Sequence, residues 1–479
     1  MPVADGLAPR PLDLGDPRLR RLIVRLALPT VAGLGIGALH HVANAFFVGQ
    51  LGAAELAAVS VAIPVFVAVA AIGEGLGVGA AAAIGRQLGA GTPDHASSTA
   101  TTTLALAVGL GLALSLVLLL AAGPLLTVLG ATPKVLPLAS RYVVILGLSC
   151  ALLLAQQLCD FIAIAEGNTR FSMLTLLGAF TLNIVLDPIL IFGVGLGIAG
   201  AALATIMSQI AALLLFAVYF GRRWGVVRIG LDLLRPSARI LGPVLQVGVP
   251  AMLSTVLGAL ALALTYHAAA SYGGDEALAG VGVALRLLAL GTLPVIGFCL
   301  GAQPVLSFAC GARNHPRLLV ATRYMLVVTS AGAAAYALVM VLLAGPVTAL
   351  FTADAAAQAV AARACRMVHA GFALVGLQFV LIVLLQAMGK GWTAALVGLT
   401  AQGGLLIPAL LVLPRWWGLD GVIAAQPVAA GLASLLAAAL LRHEARALRQ
   451  PSGGMAIGMG LAPPPHEDWP DNAHPHRVS

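Results

Sequence analysis

Long unbroken apolar runs, separated by short stretches of Gly, Pro and Arg, dominate this chain from end to end. Twelve such runs are read, at roughly 22–49, 55–84, 98–121, 136–165, 171–193 and 197–220, then 239–271, 277–309, 319–343, 358–388, 392–413 and 420–441. A hydrocarbon core about 30 Å thick needs ~20 helical residues, and each run supplies them. In lipid every backbone polar group must be satisfied within the protein, which leaves helices as the form for such runs. The pattern predicts an all-α integral membrane protein with twelve transmembrane helices.

The two halves repeat. Pro29 matches Pro250, and the run LAAVSVA at Leu56 matches LAGVGVA at Leu278. A shift of 222 carries Gly75 onto Gly297, Gly79 onto Gly301, Gly123-Pro124 onto Gly345-Pro346, and Gln156 onto Gln378. Two pseudo-symmetric six-helix lobes follow, at 22–220 and 239–441, as a parallel repeat about an axis along the membrane normal. Sites for transported species then belong in or between the lobes. A cytoplasmic segment is expected at 1–21, a cytoplasmic linker at 221–238, and a disordered cytoplasmic tail at 442–479.

Composition agrees with a bilayer as solvent. Hydrophobic residues make up 60% of the chain and charged residues 9%, against about 25% charged in soluble domains. A net charge of +8 points to nucleic acid in a soluble protein. Here its placement explains it. With the N-terminus in the cytoplasm, twenty Lys and Arg fall in inner segments and five in outer ones, leaving Arg286 mid-helix. Both termini are therefore expected in the cytoplasm of a multi-pass plasma (inner) membrane protein. No nucleic-acid partner is expected, and the first apolar run is too long for a cleavable leader. The five cysteines sit in apolar runs without metal-ligand spacing,. Phosphate-loop and HExxH patterns are missing, so neither an enzyme, a metal site nor a cofactor is expected.

Ionisable residues inside a membrane are costly and so are functional candidates. They are His40, His41, Glu74, Asp160, Asp187, His267, Arg286 and His369. Asp187 lies about 9 Å inside the outer end of its helix, with Asn183 one turn deeper on the same face. Thr205, about 12 Å deep, and Asn44, about 10 Å deep, share that level. One carboxylate among neutral oxygens suits a proton or a hard monovalent cation. Glu74 and Asp160 lie nearer the cytoplasmic ends of their helices, as contacts in a cytoplasm-facing vestibule or as solvated helix ends. The histidines read as hydrogen-bonded packing residues, and Arg286 as locally paired or snorkelling.

The run NIVLDPILIFGVGLGIAGAALAT, Asn183 to Thr205, resembles the fifth and sixth helices of the multidrug and toxic compound extrusion (MATE) family. LALPTVAGLGIGALHHVANAFFVGQLGAAELAAV resembles its first helix, and GVGAAAAIGRQLGAG, AEGNTR, GAQPVLSFACGA and LLQAMGKG are similar to further landmarks. The resemblance implies a V of two lobes with alternating access. It implies a secondary antiporter exporting small cationic, often aromatic compounds in exchange for protons or sodium. Asn183, Asp187 and Thr205 match cation-site positions of the branch with a site in the N-terminal lobe, and Pro29 matches a gating bend in the first helix. Asn44 stands where the family usually has Asp, and it cannot titrate. The other reading is a lipid-linked or polysaccharide flippase of related fold. The partners expected are the small-molecule substrate and the lipid bilayer, with the chain a monomer.

Overall fold

The computed structural model describes residues 10–351 and 354–449. α1 (Leu19–Gly49), α2 (Ala53–Gly89) and α3 (Pro93–Val128) are single long helices. α4 (Leu136–Gly147) and α5 (Cys150–Ala165) form one span bent by 51°. α6 (Thr169–Pro188) runs on through a π-turn at Ile189–Gly193, and α7 (Ile198–Gly221) closes the first half. The second half holds α8 (Ala238–Gly311), α9 (His315–Leu342), the short α10 (Ala344–Ala349), α11 (Ala355–Ala370), α12 (Val375–Ala387), α13 (Gly391–Leu399) and α14 (Ile407–Arg449).

The 74 residues of α8 would span about 110 Å if straight. They turn back at Gly274, whose φ of 66° and ψ of −159° fall where only glycine sits without strain. α14 reverses in the same way at Gly418. Among the described residues nine helices are long and apolar enough to cross a membrane, and the bent pair makes ten. With the two reversals the described residues make twelve crossings.

Alanine is frequent in the interiors of both lobes. Ala58, Ala62, Leu154 and Ile162 belong to one buried cluster, and Ala269, Ala284, Ala361 and Val422 to another. The lipid-facing surface is large and apolar, with Leu120 and Leu116 among its exposed side chains. Small residues inside let helix backbones approach where no aqueous driving force exists.

The lobes meet where α1 and α2 pack against the two arms of α8. A Cβ on Gly75 would stand 2.6 Å from the Gly248 carbonyl oxygen, and one on Gly248 2.5 Å from that of Gly75. Gly89 and Gly311 likewise press on the backbone of Phe308 and of Arg86. Further along the same helix faces the lobes part. Val42 of α1 is 69% exposed and Leu262 of α8 is 44% exposed. The result is a V-shaped cleft, closed at the end that carries both ends of the described chain and open at the other.

That closed end is heavily fastened. Arg317 donates to the carbonyls of Leu14 and Asp16, and Lys390 pairs with Glu444 at 2.7 Å. The segment between the lobes is ordered on the Ser/Thr-rich start of α3. Arg228 N–H donates to Ser97, Gly230 N–H to Thr101 and Arg235 N–H to Thr102. The loop residue Glu166, just beyond α5, accepts from Tyr219 Oη at 2.5 Å and from the N–H groups of Val226 and Val227. Burial raises its carboxyl to about 7 against those three bonds.

Two expectations shift. α2 continues to Gly89 and α3 begins at Pro93, because hydropathy marks the lipid-crossing part of a helix and not its protruding ends. Residues 442–449, expected to open the tail, are the last turns of α14. The rest of the tail, 450–479, lies outside the described residues, as do residues 1–9 of the N-terminal segment.

Candidate functional site

Of the four expected residues, Asp187, Asn183 and Thr205 come together inside the first lobe. Asp187 is fully buried and Asn183 is 1% exposed. The Asn183 amide has one orientation that matches donor to acceptor on every side. Its nitrogen then donates to Asp187 Oδ2 at 3.2 Å and to His40 Nδ1 at 3.3 Å, and its oxygen accepts from the Thr205 N–H at 3.1 Å. One amide thus ties α1, α6 and α7 together. The Thr205 hydroxyl donates to the Ala201 carbonyl, so this residue meets Asn183 through its backbone. Asn44 lies one turn from His40 on α1, and its Oδ1 is buried.

Asp187 Oδ1 and Asn44 Oδ1 are both buried acceptors without donors among the described residues. Such an atom costs on the order of 1–3 kcal/mol, a cost that a bound proton or cation relieves. His40 enters the cluster, where the sequence alone predicts a packing residue. It stacks on Phe180 with ring centroids 4.5 Å apart. Its Nδ1 accepts from Asn183, so the proton of the neutral ring sits on Nε2. Tyr142 of α4 is also buried and within electrostatic reach of Asp187. The spacing of His40 and Asn44, one turn apart on α1, was the available signal for the first. Nothing local marks the second.

Two other candidates lie elsewhere than expected. Glu74 does not face a vestibule on the side of the termini. It is exposed at the floor of the open cleft, where Thr255 of the other lobe donates to its carboxylate at 3.3 Å. The extension of α2 to Gly89 explains the difference, since it puts Glu74 near mid-helix. Asp160 is not a solvated helix end. Its Oδ1 is buried, without a hydrogen-bond partner among the described residues. Pro29 is buried in a continuous α1, beside the contacts of Ala27 and Val31 with Gly301 and Gly297 of α8. His369 is wholly buried and bonds back to the Cys365 carbonyl at 2.8 Å, a packing role. His41, His267 and Arg286 are exposed. Arg286 has no ion pair among the described residues.

A buried carboxylate wired to three helices, beside a cleft between two lobes, can couple ion binding to helix movement. Comparison with known proteins identifies the family. The MatE family model matches residues 36–189 and 250–410. The multidrug export protein MepA of Staphylococcus aureus (strain N315) is 31% identical over 311 residues, covering 65% of this chain and 68% of MepA. A multidrug resistance MATE family transporter of the MOP superfamily, solved in an outward-facing conformation, is 28% identical. It superposes with a TM-score of 0.85 over 90% of this chain and 96% of that one. A MATE structure in a bent conformation matches with a TM-score of 0.86 at 28% identity, over 90% of this chain and 97% of that one.

Proposed function

Because the chain belongs to the multidrug and toxic compound extrusion (MATE) family, we propose that it exports small amphiphilic cations across the plasma membrane in exchange for protons or sodium, with Asp187 as the coupling group. The observation that carries this reading is the bond set of Asn183. Asn183 holds α1 through His40 and α7 through Thr205 while donating to Asp187. A proton or monovalent cation arriving at Asp187 competes for the carboxylate that Asn183 engages, and so loosens or re-seats α1. α1 carries Pro29 at the lobe contact, where the missing N–H weakens the helix against bending. Ion binding in the lobe is thereby linked to opening and closing of the cleft.

The charge pattern of the loops supports a cytoplasmic closed end, with the cleft facing outward and poised to release substrate. Glu74 at its floor supplies the negative charge that a cationic substrate meets. The test is gradient-driven export of ethidium from proteoliposomes, with proton and sodium gradients imposed separately. Asp187→Asn should lose coupled export while keeping its unfolding temperature within a few degrees. Full coupled flux in that variant would place the coupling site elsewhere.

A further inference from the structure

The cleft carries two unpaired opposite charges at two depths, and we propose that it selects zwitterionic amphiphiles, with Glu74 taking the cationic group and Arg286 the anionic one. This rests on the cleft being the export path.

The placement follows from helix register. Gly89 and Gly311 press on each other's neighbouring backbone at the closed end, which fixes α2 and the second arm of α8 at a common level. Counting back from there, Glu74 is at the level of Ile296. Gly297 marks the face of α8 that meets α1, at Val31. Arg286 is eleven residues further out, about three turns, and therefore on nearly the same face. The opposite face is taken up within the lobe, where Gly280 meets Val360 and Gly291 meets Tyr336. Arg286 thus projects towards the cleft about 15 Å above the level of Glu74. Its long flexible stem shortens that gap.

Neither charge meets an opposite charge among the described residues. Glu74 has a single bond, from the Thr255 hydroxyl. Arg286 is exposed and absent from the ion pairs of the described residues. The acidic residues Asp275 and Glu276, at the α8 turn, stand about 15 Å further out again. An unpaired guanidinium at membrane depth is costly, and a purely cation-selective cleft has no use for one. A substrate carboxylate answers it with charge-assisted, two-pronged bonds.

Rhodamine B, a zwitterion, and its ethyl ester, a cation of the same shape, separate the two charges experimentally. Wild-type proteoliposomes should export both. Arg286→Gln should slow rhodamine B export by about tenfold, the worth of one charge-assisted contact, and leave or raise export of the ester. Arg286→Lys should restore rhodamine B, and Glu74→Gln should slow both dyes. Equal effects of Arg286→Gln on the two dyes would overturn the inference. So would wild-type protein that exports the ester and rejects rhodamine B, a result that needs no variant to fold. Failure to export the ester as well would instead remove the export reading beneath it.

Discussion

Arg86 in the first lobe donates through Nη1 to the carbonyl of Gln386 in the second, at 3.2 Å, and the same nitrogen reaches Ala387. These carbonyls end α12, where the helix dipole is negative and a cation is favoured. The guanidinium therefore latches the closed end of the cleft. Arg86→Ala should shift the protein towards the opposite opening. Cys310, near Arg86 and the most exposed of the five cysteines, reports this. Its maleimide labelling should rise several-fold in the variant, and unchanged labelling would mean the glycine contacts alone hold the lobes.

Glu166 makes stability pH-dependent. Its carboxyl titrates near 7 in the folded protein because burial outweighs its three bonds, against 4.5 for the free side chain. Between those values the folded state holds the extra proton, so stability falls as pH rises from about 4.5 to 7 and levels off above. The span corresponds to about 3 kcal/mol. Unfolding temperature in detergent should drop over that window, and Glu166→Gln should flatten the drop. A rise in wild-type stability over the same window would show that the three bonds outweigh burial.

Pro29→Ala restores the backbone N–H that Pro29 lacks in α1 and stiffens the helix at its contact with α8. Export turnover should fall several-fold while ethidium binding changes little. A variant that binds weakly but turns over at the wild-type rate would make Pro29 a packing residue alone.

The residues show what a sequence can and cannot reveal here. The twelve runs were legible because lipid imposes their length and polarity. Asn183 and Asp187 were legible because one helical turn and a shared depth are local properties. His40 was not, since its tie to Asn183 joins two helices far apart in the chain. Glu74 was placed on the wrong side of the lobe contact because α2 outruns its apolar segment. The role of Ser97, Thr101 and Thr102 in holding the linker was hidden as well, for hydroxyls on a helix usually bond back to their own carbonyls.

Membrane voltage should distinguish substrates of different charge. Asp187 is the single carboxylate of the first-lobe cluster, and His40 is held there as an acceptor at Nδ1. On the proposed coupling the cluster loads one proton or one monovalent cation per cycle. Exchange for a singly charged drug moves no net charge, and a potential works only on net charge, at about 2.3 kcal/mol per charge per 100 mV. A potassium–valinomycin potential alone should leave export of the rhodamine B ethyl ester unaffected, while a pH or sodium gradient drives it. Rhodamine B has no net charge, so its exchange for one cation moves one charge, and an inside-negative potential should accelerate it. Asn44→Asp adds a second carboxylate to the level of Asp187, and should make ester export voltage-sensitive too. Strong voltage-driven export of the ester by the wild-type protein would mean that a second group, with His40 and Glu74 the first suspects, loads an extra charge in each cycle.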